Sequence, residues 1–328
     1  MMNIKRFLAL FLPLATVFVG VFWYVQDTTT RSQRAIVEAG EIRTVALQAQ
    51  AAESALKDIV TDLRILAQGP EMDRYLERHD PDMLKNLELE FLNFAIHKKR
   101  YDQVRLLDRR GMEIVRVNHY RDGRSEIVPQ DQLQPKGDRY YFTETIDLAP
   151  GQIFISPLDL NIEHGVIEQP LKPMIRFGMP IFAHNGQKGG IVVLNYLAQE
   201  LIDVLQAVSR GLLGEFLLLN HEGYWLASVN PDQEWGFMYP DRKEQTFSRV
   251  FPEAWQRITA ADSGQFQSPQ GLFTFTTVFP RVLSQPASNS ALATTPDDPA
   301  IVAARQYRWS LVSWRLFGIL WNNKIHLK

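Results

Sequence analysis

The densest run of side chains able to hold a metal or move a proton is Asp159, Asn161, Glu163 and His164. Oxygen donors at alternate positions open many calcium loops, but such a loop also needs glycine at its sixth position and glutamate at its twelfth. Those places are held by His164 and Pro170. Turn hydrogen bonds, or contact with a ligand through Asp159 or Asn161, are the readings left. Arg176 lies among apolar residues on a stretch that alternates. Arg176, Gly178 and Pro180 share one face, and Ile175, Phe177 and Met179 share the other. A planar guanidinium grips a carboxylate through two parallel hydrogen bonds. Arg139 could do the same chemistry, or could pair with Asp138 or Glu144 at the surface. Next to it, Tyr140, Tyr141 and Phe142 cannot all face one way on a helix, so at least one of them packs elsewhere. The 7 histidines are scattered, and there is no His-Glu-x-x-His, Gly-x-Ser-x-Gly or phosphate-binding glycine loop. No catalytic constellation, metal or cofactor is expected.

The elements that must position these residues can be read from spacing. Ile42, Val45, Ala49, Ala52, Leu56, Ile59, Leu63 and Leu66 form a heptad seam on a helix over about 31–67, ended by Gly69-Pro70. The seam could pack against its own chain, or its lower part could pair two copies as a homodimer. Asp80-Pro81 is a cap with proline at the first helical position, so a second helix covers about 81–97. Strands are expected at Gln103–Asp108, Met112–Asn118, Gln152–Ser156, Met174–Phe182 and Gly190–Tyr196. Helices are expected at Tyr140–Leu148 and Leu197–Ser209.

Composition sets the class. The chain has 328 residues, no cysteine, 45% hydrophobic and 22% charged residues, and a formal net charge of -2. It can form neither disulfides nor thiolate metal sites, it lacks the basic footprint of a nucleic-acid binder, and it has apolar residues enough for about two domains. Phe7 to Val25 carries no charge over 19 residues, with Lys5 and Arg6 before it and Trp23-Tyr24 at its end. That length suits a membrane-spanning helix, and the basic flank puts the N-terminus in the cytoplasm. A cleaved signal peptide would have a shorter apolar core and a small-residue cleavage site. The bulk of the chain is therefore expected to be periplasmic, anchored in a bacterial inner membrane by residues 7–25.

A repeat links the halves. Leu107-Asp108-Arg109-Arg110-Gly111 opens a hairpin, and so does Leu219-Asn220-His221-Glu222-Gly223, 112 residues on (220 less 108). Asn118 and Asn230 stand at the same interval. The second copy continues with a helix near Pro252–Ile258 and strands at Gly264–Ser268, Leu272–Phe279 and Trp309–Ser313. Ser284–Ala300 reads as a loop.

The order of a membrane helix, a long helix and two sensor-like units resembles the double Cache family of extracytoplasmic sensor domains. Three stretches carry the resemblance: Asp138-Arg139-Tyr140-Tyr141-Phe142, Ile155-Ser156-Pro157-Leu158-Asp159-Leu160-Asn161, and Arg176 to Phe182 leading through Gly189 to Asn195. Asp232-Gln233-Glu234-Trp235-Gly236-Phe237 is a fourth, family-like stretch. The resemblance implies an α+β fold with two tandem PAS-like antiparallel-sheet domains. It implies the sensing region of a histidine kinase or diguanylate cyclase receptor. On it Arg139 would meet a ligand carboxylate, and Tyr141 and Phe142 would wall the pocket. Ser156, Asp159, Asn161 and Arg176 would complete the site. Asn195 falls where amino-acid-binding members keep an aspartate, so a carboxylate or polyol suits the site as well as an α-amino acid.

The expected layout is a stub and anchor at 1–27, a helical stalk at 28–100, a membrane-distal domain at 101–209, a membrane-proximal domain at 210–313 and a short apolar tail at 314–328. The expected function is binding of a small metabolite in the distal domain of a receptor detached from its output module. A module for a periplasmic protein partner, and a hydrolase using Asp159, Glu163 and His164, are the rivals.

Overall fold

The computed structural model describes residues 4–78, 80–163, 165–210, 214–283 and 299–316. Helix α1 runs unbroken from Ile4–Ala67, 64 residues, or about 96 Å at 1.5 Å per residue. It is the one described helix long and apolar enough to cross a membrane. From Phe11 to Val25 its large apolar side chains are exposed. Farther along, the seam turns inward: Val45, Ala52, Leu56, Ile59, Leu63 and Leu66 are buried, whereas Ile42 is exposed. The stripe therefore packs against its own chain. Gly69 ends the helix, and α2 (Pro70–Arg78) follows at once, a helix that the proline reading misses because proline is well suited to the first turn. The side-chain oxygen of Asp80 accepts from the Asp82 amide at the start of α3 (Pro81–Lys98), which buries Leu87, Phe91 and Ala95.

Strands β1 (Tyr101–Asp108), β2 (Glu113–His119) and β3 (Ser125–Ile127) come next. Helix α4 (Tyr140–Ile146) leads to β4 (Phe154–Ile155) and β5 (Asp159–Leu160). A small hairpin pairs β6 (Ile162–Glu163) with β7 (Val166–Ile167). Long strands β8 (Pro173–Phe182) and β9 (Lys188–Leu197) precede α5 (Gln199–Val208). The order across the first sheet is β3-β2-β1-β9-β8-β4, with β5 also on β8. A second set follows: β10 (Glu215–Leu219), β11 (Trp225–Ala227), α6 (Phe247–Val250), α7 (Pro252–Ala260), β12 (Ser263–Ser268), β13 (Gly271–Val278), α8 (Pro299–Gln306) and β14 (Trp309–Arg315). Its sheet order is β11-β10-β14-β13-β12. Both sheets thus place the first strand of a hairpin beside the last strand of the set.

The repeat is physical at the hairpin turns. Asp108 Oδ1 accepts from the amides of Arg110 and Met112, and Asn220 Oδ1 accepts from those of Glu222 and Tyr224. Gly111 and Gly223 follow at φ 81° and 85°, a left-handed conformation that other residues resist. The third expected pair does not correspond. Asn118 lies within β2, but β11 ends at Ala227 and Asn230 caps a short turn, accepting from Asp232. Two other boundaries move. Pro299–Ala300 begin α8 rather than end a loop, and β14 runs on to Arg315. Residues 284–298, and the tail from 317, lie outside the described residues.

One apolar core joins the seam of α1 to both sheets. It includes Val104, Leu106, Val192, Leu194, Ile175 and Phe177 from the first sheet, and Phe216, Leu218, Trp309 and Leu311 from the second. Gln48 of α1 adds direction: its Nε2 donates to Leu205 O at 2.7 Å and Ser209 Oγ at 2.6 Å. Truncating the buried seam should therefore be costly. Leu63→Ala is expected to destabilise the fold by roughly 2–5 kcal/mol. Leu47→Ala, at a site 44% exposed, should cost less than about 0.5 kcal/mol. Urea denaturation of the two variants checks the contrast.

Candidate functional site: a cationic cavity on the first sheet

The core claims only one face of the first sheet. Register fixes what the other carries. Asn118 pairs with Gln103, Gln103 with Asn195, and Asn195 with Arg176, so four polar residues form one row across four strands. In the next row Arg116 lies beside Arg105 and Arg105 beside Val193. Val193 in turn pairs with Gly178, and Gly178 with Phe154. A bulge between Leu106 and Leu107 swings Glu113 toward this face. Gly178 has a steric reason for its place: a Cβ there would lie 2.2 Å from Thr145 Oγ1 of α4. Its absence lets that helix close down on the sheet.

Two buried guanidinium groups organise the polar rows. Arg105 Nη1 donates to Tyr141 Oη at 2.9 Å, and Nη2 donates to Asn195 Oδ1 at 2.7 Å. Its charge is met by Glu113 Oε1 at 3.7 Å, while Arg116 Nη1 holds Glu113 Oε2 at 2.9 Å. Arg176 Nη1 donates to Asp159 Oδ1 at 2.9 Å and to Tyr140 Oη at 3.3 Å. Its Nη2 donates to Asn161 Oδ1 at 3.0 Å, and its amide donates to Ser156 Oγ at 2.8 Å. The Asp159 carboxylate holds Arg176 firmly protonated against the pull of its own burial. Burial raises the Asp159 carboxyl, and the guanidinium draws it back. Burial likewise raises the Tyr140 phenol, which stays a neutral hydroxyl.

Around these groups lies a cavity of about 630 Å³. Arg105, Arg116, Lys136, Arg139 and Arg176 line it, against Glu113, Asp159 and Glu163. The formal surplus is two positive charges. Arg139 sits at the N-terminus of α4, exposed, and its guanidinium has no hydrogen bond or ion pair among the described residues; neither Asp138 nor Glu144 engages it. Several buried polar atoms of the lining residues have no hydrogen-bond partner among the described residues: Arg105 Nε, Arg116 Nε, Glu113 Oε1 and Asn118 Oδ1.

Of the residues singled out from sequence, Arg139, Tyr141, Asp159, Asn161, Arg176 and Asn195 are brought to the cavity wall. Two are not. Phe142 packs with Tyr141 in an apolar cluster that includes Leu107, Phe154, Ile191 and Val193; only the tyrosine has a hydroxyl that reaches Arg105 and the cavity wall. Ser156 is buried behind the wall, with its hydroxyl on the Arg176 amide. The calcium reading loses its donors: Asp159 and Asn161 point their oxygens at Arg176, and no group of three or more metal-type side chains exists among the described residues. His164 lies outside the described residues. Arg105, Arg116, Glu113 and Tyr140 were missed. Alternation along Gln103-Val104-Arg105-Leu106 was the available signal for Arg105.

On the second sheet the positions that match the Arg105–Glu113 pair are apolar. At the repeat interval Leu217 stands for Arg105 and Trp225 for Glu113. Both join an apolar cluster with Phe247, Phe273 and Phe275, against which Phe251, Trp255 and Trp314 pack.

Comparison with known proteins fits this geometry. The family described as bacterial histidine kinase, sensor domain, matches residues 48–284. The chain belongs to that family. Such a sensor domain is not catalytic by itself; it is the sensing part of a signal-transduction receptor. No curated protein matches the sensor. Among solved structures, the sensor is similar to the extracellular domain of a protein described as a histidine kinase, at TM-score 0.70 and 21% identity. That match covers 89% of this chain and 96% of the other. It is similar also to a domain of a sensory box/GGDEF family protein from Vibrio parahaemolyticus, at TM-score 0.69 and 23% identity, covering 87% and 98%. A third is the sensory domain of a Campylobacter jejuni chemoreceptor with isoleucine bound, at TM-score 0.54 and 11% identity, covering 88% and 96%. At these identities the likeness shows the fold.

The Arg176 cluster is also a structural joint of the sensor. Asp159→Ala would strand a buried guanidinium, and is expected to lower stability by about 3 kcal/mol. Asp159→Asn, which keeps an acceptor, should lose less than half of that. Thermal unfolding of both variants tests the ranking.

Proposed function

We propose that the sensor binds a small carboxylate in the cavity of its first sheet, without requiring an α-ammonium group. The surplus of cationic side chains in the lining carries this reading. Arg139 is the group best placed to receive the ligand, since an exposed guanidinium with no partner can close bidentately on a carboxylate without breaking an existing bond. Asn195 is already engaged as acceptor to Arg105 and donates from Nδ2 to Gln103 Oε1 at 3.3 Å. It offers no negative charge to an ammonium. The isoleucine bound by the Campylobacter chemoreceptor makes an amino acid the natural comparison ligand.

In this reading residues 101–209 form a membrane-distal ligand domain and residues 210–313 a proximal one. Residues 7–25 anchor the chain in the inner membrane, with the N-terminus in the cytoplasm and the sheets in the periplasm. The exposed lower part of α1, Ile42 included, is the surface on which two copies would pair.

Titration calorimetry of the full chain in nanodiscs against acetate, succinate, citrate and L-isoleucine tests the ligand class. A carboxylate without an amino group should bind at least as well as isoleucine. Arg139→Ala should weaken it about tenfold, roughly 1.4 kcal/mol, with no change in unfolding temperature. Full affinity in that variant would remove Arg139 as the anchor. Binding of isoleucine alone would overturn the ligand class.

A further inference from the structure

The segment that carries Ser156 and Asp159, two of the partners of Arg176, is gripped by the second half of the chain. The Leu158 amide donates to Tyr307 Oη at 2.6 Å, and Arg281 Nε donates to the Ile155 carbonyl at 3.1 Å. Arg281 also stands over the Tyr307 ring, 5.1 Å from its centroid. Between and beside these anchors lie Ser156, which holds the Arg176 amide, and Asp159, which holds its guanidinium.

Tyr307 is built into this place. It is buried, and Trp309 Nε1 donates to the same phenolic oxygen at 2.8 Å. The His221 ring meets it edge-on at 5.7 Å. Burial keeps the phenol protonated, so one neutral oxygen serves two buried N–H donors. Phenylalanine would keep the ring contacts and leave both donors unpaired. Tyr307 stands two residues before the start of β14, the central strand of the second sheet. Near the other end of that strand, Ser313 Oγ donates to the buried Glu41 carboxylate of α1.

We propose that Tyr307 is a positioning residue for the ligand cavity, holding the 155–159 segment in register with Arg176 and passing its displacements to β14 and α1. Its role in binding rests on the carboxylate reading above; the grip itself does not. A ligand that draws Arg176 toward itself would shift Asp159 and hence Leu158. The bond to Tyr307 then makes β14 respond to occupancy through the differential affinity of the ligand for the two arrangements.

Hydrogen–deuterium exchange of the full chain in nanodiscs, with no ligand added, tests the grip. In Tyr307→Phe the Leu158 amide should exchange at least tenfold faster, while amides of the β10 and β14 ladder change less than twofold. Unchanged exchange at Leu158 would overturn the proposal. So would equal acceleration in both sheets, which would make Tyr307 a core residue and nothing more. Should that variant fail to fold, Arg281→Gln is read in the same way over residues 155–161. Succinate titration supplies the second arm: Tyr307→Phe should weaken binding about fivefold, and an unchanged Kd would overturn the positioning role. If the wild-type chain binds none of the carboxylates, the ligand class fails and the exchange data alone decide the grip.

Discussion

A guanidinium group cannot shed its charge in a protein, so burying one commits the surrounding chain to supplying acceptors. The first sheet buries two, Arg105 and Arg176, on one face. Much of what surrounds them follows. The bulge in the first hairpin brings Glu113 to Arg105, and the Tyr141 hydroxyl oxygen on α4 accepts from the same side chain. The extended stretch after β4 exists to deliver Ser156, Asp159 and Asn161 to Arg176. The opposite face can then be largely apolar and accept the seam of α1.

The second sheet shows what the same plan becomes without this commitment. Its hairpin turn repeats the first bond for bond, and its five-strand order β11-β10-β14-β13-β12 matches the β2-β1-β9-β8-β4 part of the first sheet. Yet its equivalent face is filled with aromatic rings that pack edge-on and stacked. Aromatic packing yields a rigid block with little room for a polar ligand. A sheet with charged rows and a cavity is thus joined through one core to a sheet whose matching face is filled.

Sequence reasoning reached the plan more easily than the site. The hairpins, the long seam and the repeat announce themselves because turn chemistry and helical period are local. The family-like stretches placed Arg139, Tyr141, Asp159, Asn161, Arg176 and Asn195 near one another. Arg105 stayed hidden because an arginine inside an apolar strand looks the same whether it faces solvent or a cavity. Only the pairing of β1 with β9 decides that, through Gln103 opposite Asn195. Tyr141 and Phe142 share one apolar cluster, and only the tyrosine hydroxyl extends from it to Arg105, a difference that the aromatic pair alone does not announce. The bond between Leu158 and Tyr307 spans 149 positions, beyond any pattern in the chain.

The cationic lining of the cavity is the centre of the functional reading, and charge can be tested separately from shape. Succinate and succinamide match closely in size, but only the first is an anion at neutral pH. Thermal unfolding of the full chain in nanodiscs with each compound at equal concentration isolates the difference. A rise in unfolding temperature with succinate alone, reduced in Arg139→Ala, is the expected result. Equal response to both compounds, or a response to succinamide alone, would contradict recognition by the arginine rows.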